Sequence, residues 1–298
     1  MTLLDRAVVT LLPAVPKPVV RKLSSRYIAG SEIEDARRVV ARLNSEAKLA
    51  TVDVLGEEIT RADEAAAITH AYLGMLDAID AHELDANVSV KLSGLGLKLD
   101  PALARENLKA IAARGTFVRI DMEDSSTTDA TLDLYRELVS EGFENLGVVL
   151  QAALRRTADD ARSLAGANVR LCKGIYIEPP ELAYREFSEI RDSYVRTLEI
   201  LLDGGAYVGI ATHDEYLVDK GIGAVRTRGL EPSAYELQML LGVRPELGDR
   251  IVSGGHRLRI YVPFGRQWYE YSLRRLQENP KIAGYVAGDL GRSLLRRR

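Results

Sequence analysis

The sequence predicts an α/β protein with a (β/α)8 barrel of the TIM type. Eight short apolar runs alternate with amphipathic stretches of helical period, which is typical of parallel strands joined by helices. Eight such units fit a chain of 298 residues, because barrels of this class typically need about 250. The predicted strands are residues 49–56, 87–94, 116–123, 146–153, 168–175, 206–213, 235–242 and 258–265.

The regions around these strands divide the chain into two parts. Residues 1–45 are predicted to form an N-terminal helical extension, with a proline-rich bend at PAVPKP and a helix over residues 31–46, and residues 46–298 form the barrel domain. The seventh predicted strand, YELQMLLG, has a composition that also suits a helix. A doubly wound open sheet is the alternative architecture, although no GxGxxG motif follows any predicted strand.

Composition and charge argue against several classes of function. The formal net charge of −3 favours no nucleic-acid partner. Cys172 is the only cysteine, so no intramolecular disulfide can form. Four histidines without close spacing predict no metal site. The apolar stretch AVVTLLPAVP is too short and too interrupted by proline to predict a transmembrane segment.

Polar side chains recur near the carboxyl ends of the predicted strands. In a barrel these ends meet at one face, where the active sites of such enzymes lie. Seven of the eight strands carry such a residue, and only the first does not. Burying each charge singly would cost several kcal/mol, so we expect one shared cavity lined by Lys91, Asp121, Gln151, Arg170, Lys173, His213, Glu236, Gln238 and Tyr261.

The segment YEYSLRRLQEN, which follows the eighth strand, contains adjacent arginines. On a helix, Tyr271 lies beside both Arg274 and Arg275, and Glu278 is close enough to pair with either. Paired guanidinium groups suit bidentate binding of a carboxylate or a phosphate. The alternative is a solvated helix face with weak ion pairs. To reach the barrel mouth, this helix would have to lie across the top of the barrel.

Seven segments taken together resemble the proline dehydrogenase family. They are VSVKLSGLG, VRIDMED, VVLQAALRR, VRLCKGIYIEP, IATHD, YELQMLLG and RIYVPFGRQWYEYSLRRLQENP, and the most specific element is Tyr-x-x-Arg-Arg-x-x-Glu after YVPFG. The resemblance implies a distorted (β/α)8 barrel that binds FAD non-covalently, with the C-terminal helix lying over the flavin site. By its length, the chain resembles a monofunctional bacterial member of the family.

The resemblance also implies roles for individual residues. Lys91 and the arginine pair would bind the substrate carboxylate, and Arg170 would stabilise the negative charge of the reduced flavin. The implied substrate-binding and catalytic residues are Lys91, Asp121, Leu240, Tyr261, Tyr271, Arg274, Arg275 and Glu278. The implied cofactor contacts are Gln151, Arg170, Cys172, Lys173, Gly174, Tyr176, Thr212 and His213.

The implied activity is oxidation of L-proline to Δ1-pyrroline-5-carboxylate, with hydride transfer from C5 to flavin N5 and reoxidation by ubiquinone or menaquinone. The implied location is the cytoplasm, peripheral to the inner membrane, with functional coupling to a separate pyrroline-5-carboxylate dehydrogenase. Two alternatives stay open. One is a different barrel enzyme, either flavin-dependent like methylenetetrahydrofolate reductase or phosphate-binding; the other is a barrel that binds proline or flavin as a sensor without turnover.

Overall fold

The eight predicted strands form a closed parallel barrel in the computed structural model, which describes residues 26–57, 59–269 and 272. Each strand pairs with its neighbours in sequence, and β1 closes the barrel by pairing with β8. The strands are β1 (Leu49–Val54), β2 (Ala86–Val90), β3 (Val118–Ile120), β4 (Leu146–Gln151), β5 (Asn168–Cys172), β6 (Tyr207–Ala211), β7 (Tyr235–Leu240) and β8 (Leu258–Phe264).

Helices surround this barrel, and within the described residues one lies between each strand and the next. The helix α1 (Ile33–Ser45) precedes the first strand. The others are α2 (Ala62–Ala81), α3 (Pro101–Ala112), α4 (Thr128–Ser140), α5 (Thr157–Arg162), α6 (Phe187–Asp203), α7 (Glu215–Thr227) and α8 (Pro245–Ser253). In the part of the chain that the structure describes, none of the helices is long and apolar enough to cross a membrane.

The predicted architecture is confirmed, and the doubly wound alternative is excluded by the closed strand order. The ambiguous seventh segment is a strand paired on both sides, with β6 and β8. The predicted helix over residues 31–46 is confirmed as α1. The boundary between an N-terminal extension and the barrel stays a prediction, because residues 1–25 lie outside the described residues, as does most of the segment predicted to form the C-terminal helix.

Side chains on the two faces of each strand enter different environments. Successive residues of a strand point to opposite sides. Aliphatic residues such as Val52, Val88, Val148 and Ile210 belong to the buried core cluster that also includes the apolar faces of the helices. The other face of the strands fills the barrel itself, and it carries charged and polar groups instead of the branched aliphatic residues that usually fill such barrels.

Two glycines make room for large polar side chains inside the barrel. A Cβ on Gly147 of β4 would lie 2.5 Å from Nη1 of Arg119, and a Cβ on Gly209 of β6 would lie 2.5 Å from Nε2 of Gln238. Real Cβ contacts are never that short. Any larger residue at these positions would therefore displace the buried polar side chain that crosses the strand.

A charge pair fills the amino-terminal half of the barrel. Arg259 Nε donates to Glu236 Oε1 at 2.7 Å, and its Nη2 donates to Glu236 Oε2 at 3.0 Å. Tyr207 OH also donates to Glu236, at 3.0 Å. Burial alone would raise the pKa of Glu236, but Arg259 outweighs it and the pKa is lowered. The prediction that Glu236 lines the cavity at the mouth is wrong, because Glu236 is the second residue of β7 and lies below Gln238.

Replacing Glu236 with glutamine is expected to lower the free energy of unfolding by about 3–5 kcal/mol, because Arg259 would be left buried without its counter-charge. Urea denaturation at neutral pH measures this loss. Since the folded pKa of Glu236 is lowered, its contribution is present above the unfolded pKa and disappears as pH falls through the folded pKa. The difference between the two proteins should therefore shrink in acid.

The control for this prediction is Asp63→Asn. Asp63 pairs with Arg61 at 2.6 Å on the surface, with both side chains more than half exposed, and exposed pairs contribute little. Equal losses of stability in the two variants would contradict the buried-pair argument.

Candidate active site

Four predicted site residues meet at the mouth of the barrel. Lys91 follows β2, Asp121 follows β3, Arg170 lies in β5 and Tyr261 lies in β8. Lys91 Nζ donates to Tyr261 OH at 3.1 Å, and Tyr261 OH donates to Asp121 Oδ2 at 2.8 Å. Arg170 Nη1 donates to Asp121 Oδ1 at 2.6 Å. Four strands that are distant in sequence thus supply one hydrogen-bonded cluster.

Asp121 organises this cluster electrostatically. Its Oδ1 also accepts from Ser89 Oγ at 2.8 Å, so both carboxylate oxygens are hydrogen-bonded. Burial would raise the pKa of Asp121, but Arg170 and Lys91 more than offset it and hold the pKa below its usual value. Asp121 is therefore a fixed negative charge that orients Tyr261 and the two cations around it.

A continuous run of hydrogen bonds joins this cluster to the lower half of the barrel. Arg170 Nε donates to Gln238 Oε1 at 2.5 Å, and Gln238 Nε2 donates to Glu236 Oε1 at 2.5 Å. Glu236 is in turn held by Arg259. We call the connected set Tyr207, Arg259, Glu236, Gln238, Arg170, Asp121, Tyr261 and Lys91 the polar column. It extends from the amino ends of the strands to the mouth.

The first strand also contributes a charged residue, which sequence reasoning missed. Asp53 lies in β1 and is fully buried, and its Oδ1 accepts from Lys91 Nζ at 3.0 Å. Burial opposes the positive charge of Lys91, yet Asp53, Tyr261 and Asp121 raise its pKa well above the usual value. The signal for Asp53 in the sequence was a single acidic residue within the apolar run LATVDVLG. With Asp53 included, each of the eight strands supplies a polar residue at or next to the interior.

The predicted cofactor contacts lie at the ends of the neighbouring strands β4, β5 and β6. Gln151 ends β4 and donates through Nε2 to the carbonyl of Glu123 at 2.7 Å. Thr212 and His213 follow β6, and His213 Nε2 accepts from the backbone N–H of Leu240 at 2.8 Å. The predicted substrate contact Leu240 is thus fixed against a predicted flavin contact.

Cys172 is the last residue of β5, and the segment after it carries the remaining predicted cofactor contacts, Lys173, Gly174 and Tyr176. Gly174 has φ +96°, which favours glycine. Both oxygens of Glu178 accept from Ser125, from its N–H at 2.7 Å and its Oγ at 2.6 Å, and they tie this segment to the loop after β3. Burial raises the pKa of Tyr176.

Lys173 lies at the edge of a further charged group. Its Nζ is 3.7 Å from Asp214 Oδ2 and 4.8 Å from the centre of the Phe187 ring. Arg191 binds the same Asp214 with two hydrogen bonds, of 2.8 and 2.6 Å. Lys173 therefore shares the negative charge of Asp214 with Arg191. One carboxylate does not neutralise two cations, so this site keeps a net positive charge that favours an anionic ligand.

Four predicted residues, Tyr271, Arg274, Arg275 and Glu278, lie outside the described residues. Their placement over the site stays a prediction. In the described ranges, no group of three histidine, cysteine, aspartate or glutamate side chains is arranged to hold a metal ion.

The fold and the mouth cluster define a (β/α)8 barrel with a hydrogen-bonded cluster of charged side chains at the carboxyl ends of its strands. The model of the family described as proline dehydrogenase matches residues 36–287, and the chain belongs to that family. Proline dehydrogenase from Deinococcus radiodurans is 35% identical over 274 residues, which cover 89% of this chain and 88% of that protein. Proline dehydrogenase 1 from Bacillus subtilis strain 168 is 36% identical over 267 residues, 88% of each chain.

Solved structures show the same fold. Proline utilization A from Bdellovibrio bacteriovorus, inactivated by N-propargylglycine, superposes with a TM-score of 0.82 at 24% identity, covering 92% of this chain and 36% of that one. Proline utilization A from Corynebacterium freiburgense has a TM-score of 0.75 at 18% identity and covers 95% of this chain and 34% of that one. This chain therefore spans about a third of each of these longer proteins.

The family implies a flavin, and the residues present fit one chemically. Arg170 lies in β5 and Lys173 follows directly after that strand, and the polar residues Gln151 and Thr212 lie at the ends of the neighbouring strands β4 and β6. Ile175 and Ile177 are exposed aliphatic side chains of the segment after β5. Cations for phosphate groups and apolar surface for a ring system are what a flavin nucleotide requires.

Cys172 is expected to resist alkylation in the folded protein. Burial raises its pKa to about 11, and the reactive species is the thiolate. Iodoacetamide at pH near 8 should modify the folded chain at least about tenfold more slowly than the urea-unfolded chain, whose thiol has a pKa of about 8.5, because the smaller thiolate fraction outweighs the greater nucleophilicity of a more basic thiolate. Mass spectrometry reports one site, since the chain has a single cysteine. Comparable rates in the two states would contradict the raised pKa of Cys172.

Proposed function

We propose that this protein oxidises L-proline to Δ1-pyrroline-5-carboxylate with non-covalent FAD as its cofactor. Membership of the proline dehydrogenase family supports the reaction. The observation that carries the proposal is the mouth cluster, in which Asp121 holds Tyr261 and Arg170 while Lys91 remains reachable from the mouth. A zwitterionic amino acid needs a cation for its carboxylate and an apolar wall for its ring, and this cluster supplies a cation beside an aromatic side chain.

Lys91 binds the substrate carboxylate in this proposal. Its side chain is 17% exposed, so the ammonium is reachable although Asp53 holds it from below. Arg274 and Arg275 complete the grip on the carboxylate, and Glu278 holds the two guanidinium groups in place. Charge-assisted hydrogen bonds of this kind are the strong ones in proteins.

Three side chains form the wall around the pyrrolidine ring: Leu240, Tyr261 and Tyr271. Asp121 fixes the hydroxyl of Tyr261 by accepting its hydrogen bond, with 2.8 Å between the two oxygens, and His213 fixes the backbone of Leu240. A wall held in this way orients the ring before reaction, which is an efficient way to lower a barrier. Tyrosines at both 261 and 271 favour proline over hydroxyproline as the substrate, because the hydroxyl group on the pyrrolidine ring of hydroxyproline would collide with them.

The chemistry that FAD supplies when bound is acceptance at N5 of the hydride that leaves C5 of L-proline. The residues assigned to hold it are Gln151, Arg170, Cys172, Lys173, Gly174, Tyr176, Thr212 and His213. Arg170 is fixed by Asp121 and Gln238 on opposite sides. A cation held this firmly stabilises negative charge that develops beside it.

Electron acceptors and location complete the proposal. A membrane quinone, ubiquinone or menaquinone, reoxidises the cofactor, so the protein works in the cytoplasm at the surface of the inner membrane. The product is passed to a separate pyrroline-5-carboxylate dehydrogenase.

Anaerobic addition of L-proline to the purified protein is expected to bleach its visible flavin band, because the flavin becomes reduced. D-proline and hydroxyproline should leave the band unchanged. A visible spectrum before and after each addition measures this. A yellow protein that L-proline does not bleach would point to another flavin barrel or a sensor, and a protein unable to take up FAD would refute the cofactor assignment.

Arg274→Met and Arg275→Met are each expected to raise the KM for L-proline by about 10- to 150-fold, since each removes a charge-assisted hydrogen bond worth about 1.5–3 kcal/mol. Flavin content should not change. Arg266→Met is the matched control, because Arg266 lies on the same segment but is largely exposed, and its KM should equal that of the unmodified protein. An unchanged KM in both test variants would contradict the proposed carboxylate grip.

A further inference from the structure

Two carboxylates face Lys91 from neighbouring strands, and their surroundings differ. Asp121 has both oxygens filled by donors, as described above, and its pKa is lowered. Asp53 has only Oδ1 engaged, by Lys91 Nζ at 3.0 Å and more weakly by Tyr72 OH at 3.4 Å. Asp53 Oδ2 is buried and has no hydrogen-bond partner within the described part of the chain.

The pKa values of Asp53 and Asp121 are shifted in opposite directions. Burial raises the pKa of Asp53, Lys91 opposes that rise, and the like charges of Asp121 and Glu57 add to it, so that the net pKa is raised. The charged and titratable groups around Asp53 are Lys91 after β2, Asp121 after β3, Glu57 after β1, Tyr72 on α2 and Tyr261 on β8. Carboxyl groups whose pKa values are pushed apart in one site are candidates for different roles in proton transfer.

Glu123 is the other nearby acid with a raised pKa, again because of burial. It differs from Asp53 because both of its oxygens accept hydrogen bonds from Ser93. Protonating Glu123 would therefore disturb an existing bond, whereas Asp53 has a vacant acceptor position. Within the described site, Asp53 is the buried carboxylate best prepared to receive a proton.

The proposed reaction creates a need for such a group. L-proline in neutral water carries a protonated amine, and the nitrogen lone pair that assists hydride departure from C5 is available only after that proton has left. The amine and the carboxylate of an α-amino acid are attached to the same carbon. A cation that binds the carboxylate on the side of the amine is therefore able to reach the amine as well.

We propose that Asp53 is the acceptor of the proton that the substrate amine loses, with Lys91 as the carrier between them. This inference rests on the proposed function. Lys91 passes one proton to Asp53 as it takes the proton of the substrate amine: one N–H bond of Lys91 breaks while another forms, an O–H bond forms on Asp53, and the electron pair of the broken substrate N–H bond stays on the amine nitrogen. One positive charge leaves the substrate, Lys91 remains an ammonium, and Asp53 becomes neutral. The lone pair then forms the C=N bond as the hydride leaves C5.

The vacant oxygen of Asp53 gives this transfer a structural advantage. Once Oδ1 is protonated, the carboxyl group can turn so that Oδ2 faces Lys91, because Oδ2 gives up no hydrogen bond in that turn. Asp53 is fully buried, so the proton reaches it only through groups that touch it. Of these, Lys91 is the one that also reaches the mouth.

The test is the pH dependence of anaerobic flavin reduction by saturating L-proline in the unmodified protein and in Asp53→Asn. Asparagine keeps the shape and the acceptor oxygen for Lys91 but cannot take a proton. We expect the limiting rate of the variant to fall by about 10²- to 10⁴-fold near neutral pH, the range for loss of a general base. It should then rise about tenfold per pH unit, because only substrate that is already neutral reacts. The unmodified protein should vary much less.

Tyr72→Phe is the matched control. It removes the other side-chain contact to Asp53 and keeps the carboxylate, so its pH profile should follow that of the unmodified protein. A lower rate in Asp53→Asn with an unchanged pH profile would show a merely structural role and overturn the proposal.

A second measurement covers the case in which Asp53→Asn does not fold or retain flavin. The infrared difference spectrum of the unmodified protein, reduced with L-proline, should gain a protonated carboxylic acid band that shifts when aspartate is labelled with ¹³C at its carboxyl carbon. Absence of that band would overturn the proposal. If L-proline fails to reduce the unmodified protein at all, the proposed function fails with it; reduction with identical pH profiles refutes only the role of Asp53.

Discussion

Pairing of charges inside a closed barrel is the constraint on which this structure depends. The interior is screened from water by the strands, so an ionised group there is stabilised by a counter-charge on another strand or, like Arg119, by carbonyl and amide oxygens. Asp121 forms an ion pair with Arg170, Asp53 with Lys91, and Glu236 with Arg259. These pairs join β1 to β2, β3 to β5 and β7 to β8. The register of the strands therefore determines which charges pair in the interior, and the stability of those ion pairs favours that register.

Asp121 and Asp53 show how environment alone separates two chemically identical groups. Asp121 is hydrogen-bonded to a serine, a tyrosine and an arginine, and its negative charge is permanent. Asp53 has one firm partner and one vacant oxygen, so its charge responds to what happens at Lys91. A fixed charge suits positioning, and a variable charge suits proton transfer. Both properties follow from the number of donors that the neighbouring strands direct at each carboxylate.

The sequence predicted the class of fold, all eight strands and the mouth residues Lys91, Asp121, Arg170 and Tyr261, because hydrophobic period and strand ends are local properties of the chain. The sequence could not show how far along the barrel axis, from the amino ends of the strands to the mouth, each polar side chain lies. Glu236 was wrongly expected at the mouth, because it is the second residue of β7 and therefore lies near the amino end of that strand, below Gln238. Asp53 was missed for a related reason. A single acid in an apolar run has an obvious meaning only when Lys91 is seen opposite it, and that depends on strand pairing.

The polar column has a consequence for how this barrel can change over evolutionary time. In many barrels the two ends are independent, one devoted to stability and the other to chemistry, and substitutions at one end leave the other alone. Here Glu236 and Arg259, near the amino ends of the strands, connect through Gln238 to Arg170 in the mouth cluster. Such a scaffold is poorly modular. Substitutions that change specificity at the mouth must therefore be compatible with Glu236 and Arg259. Substitutions of these two residues would in turn shift Arg170 through Gln238, although neither residue lies at the mouth.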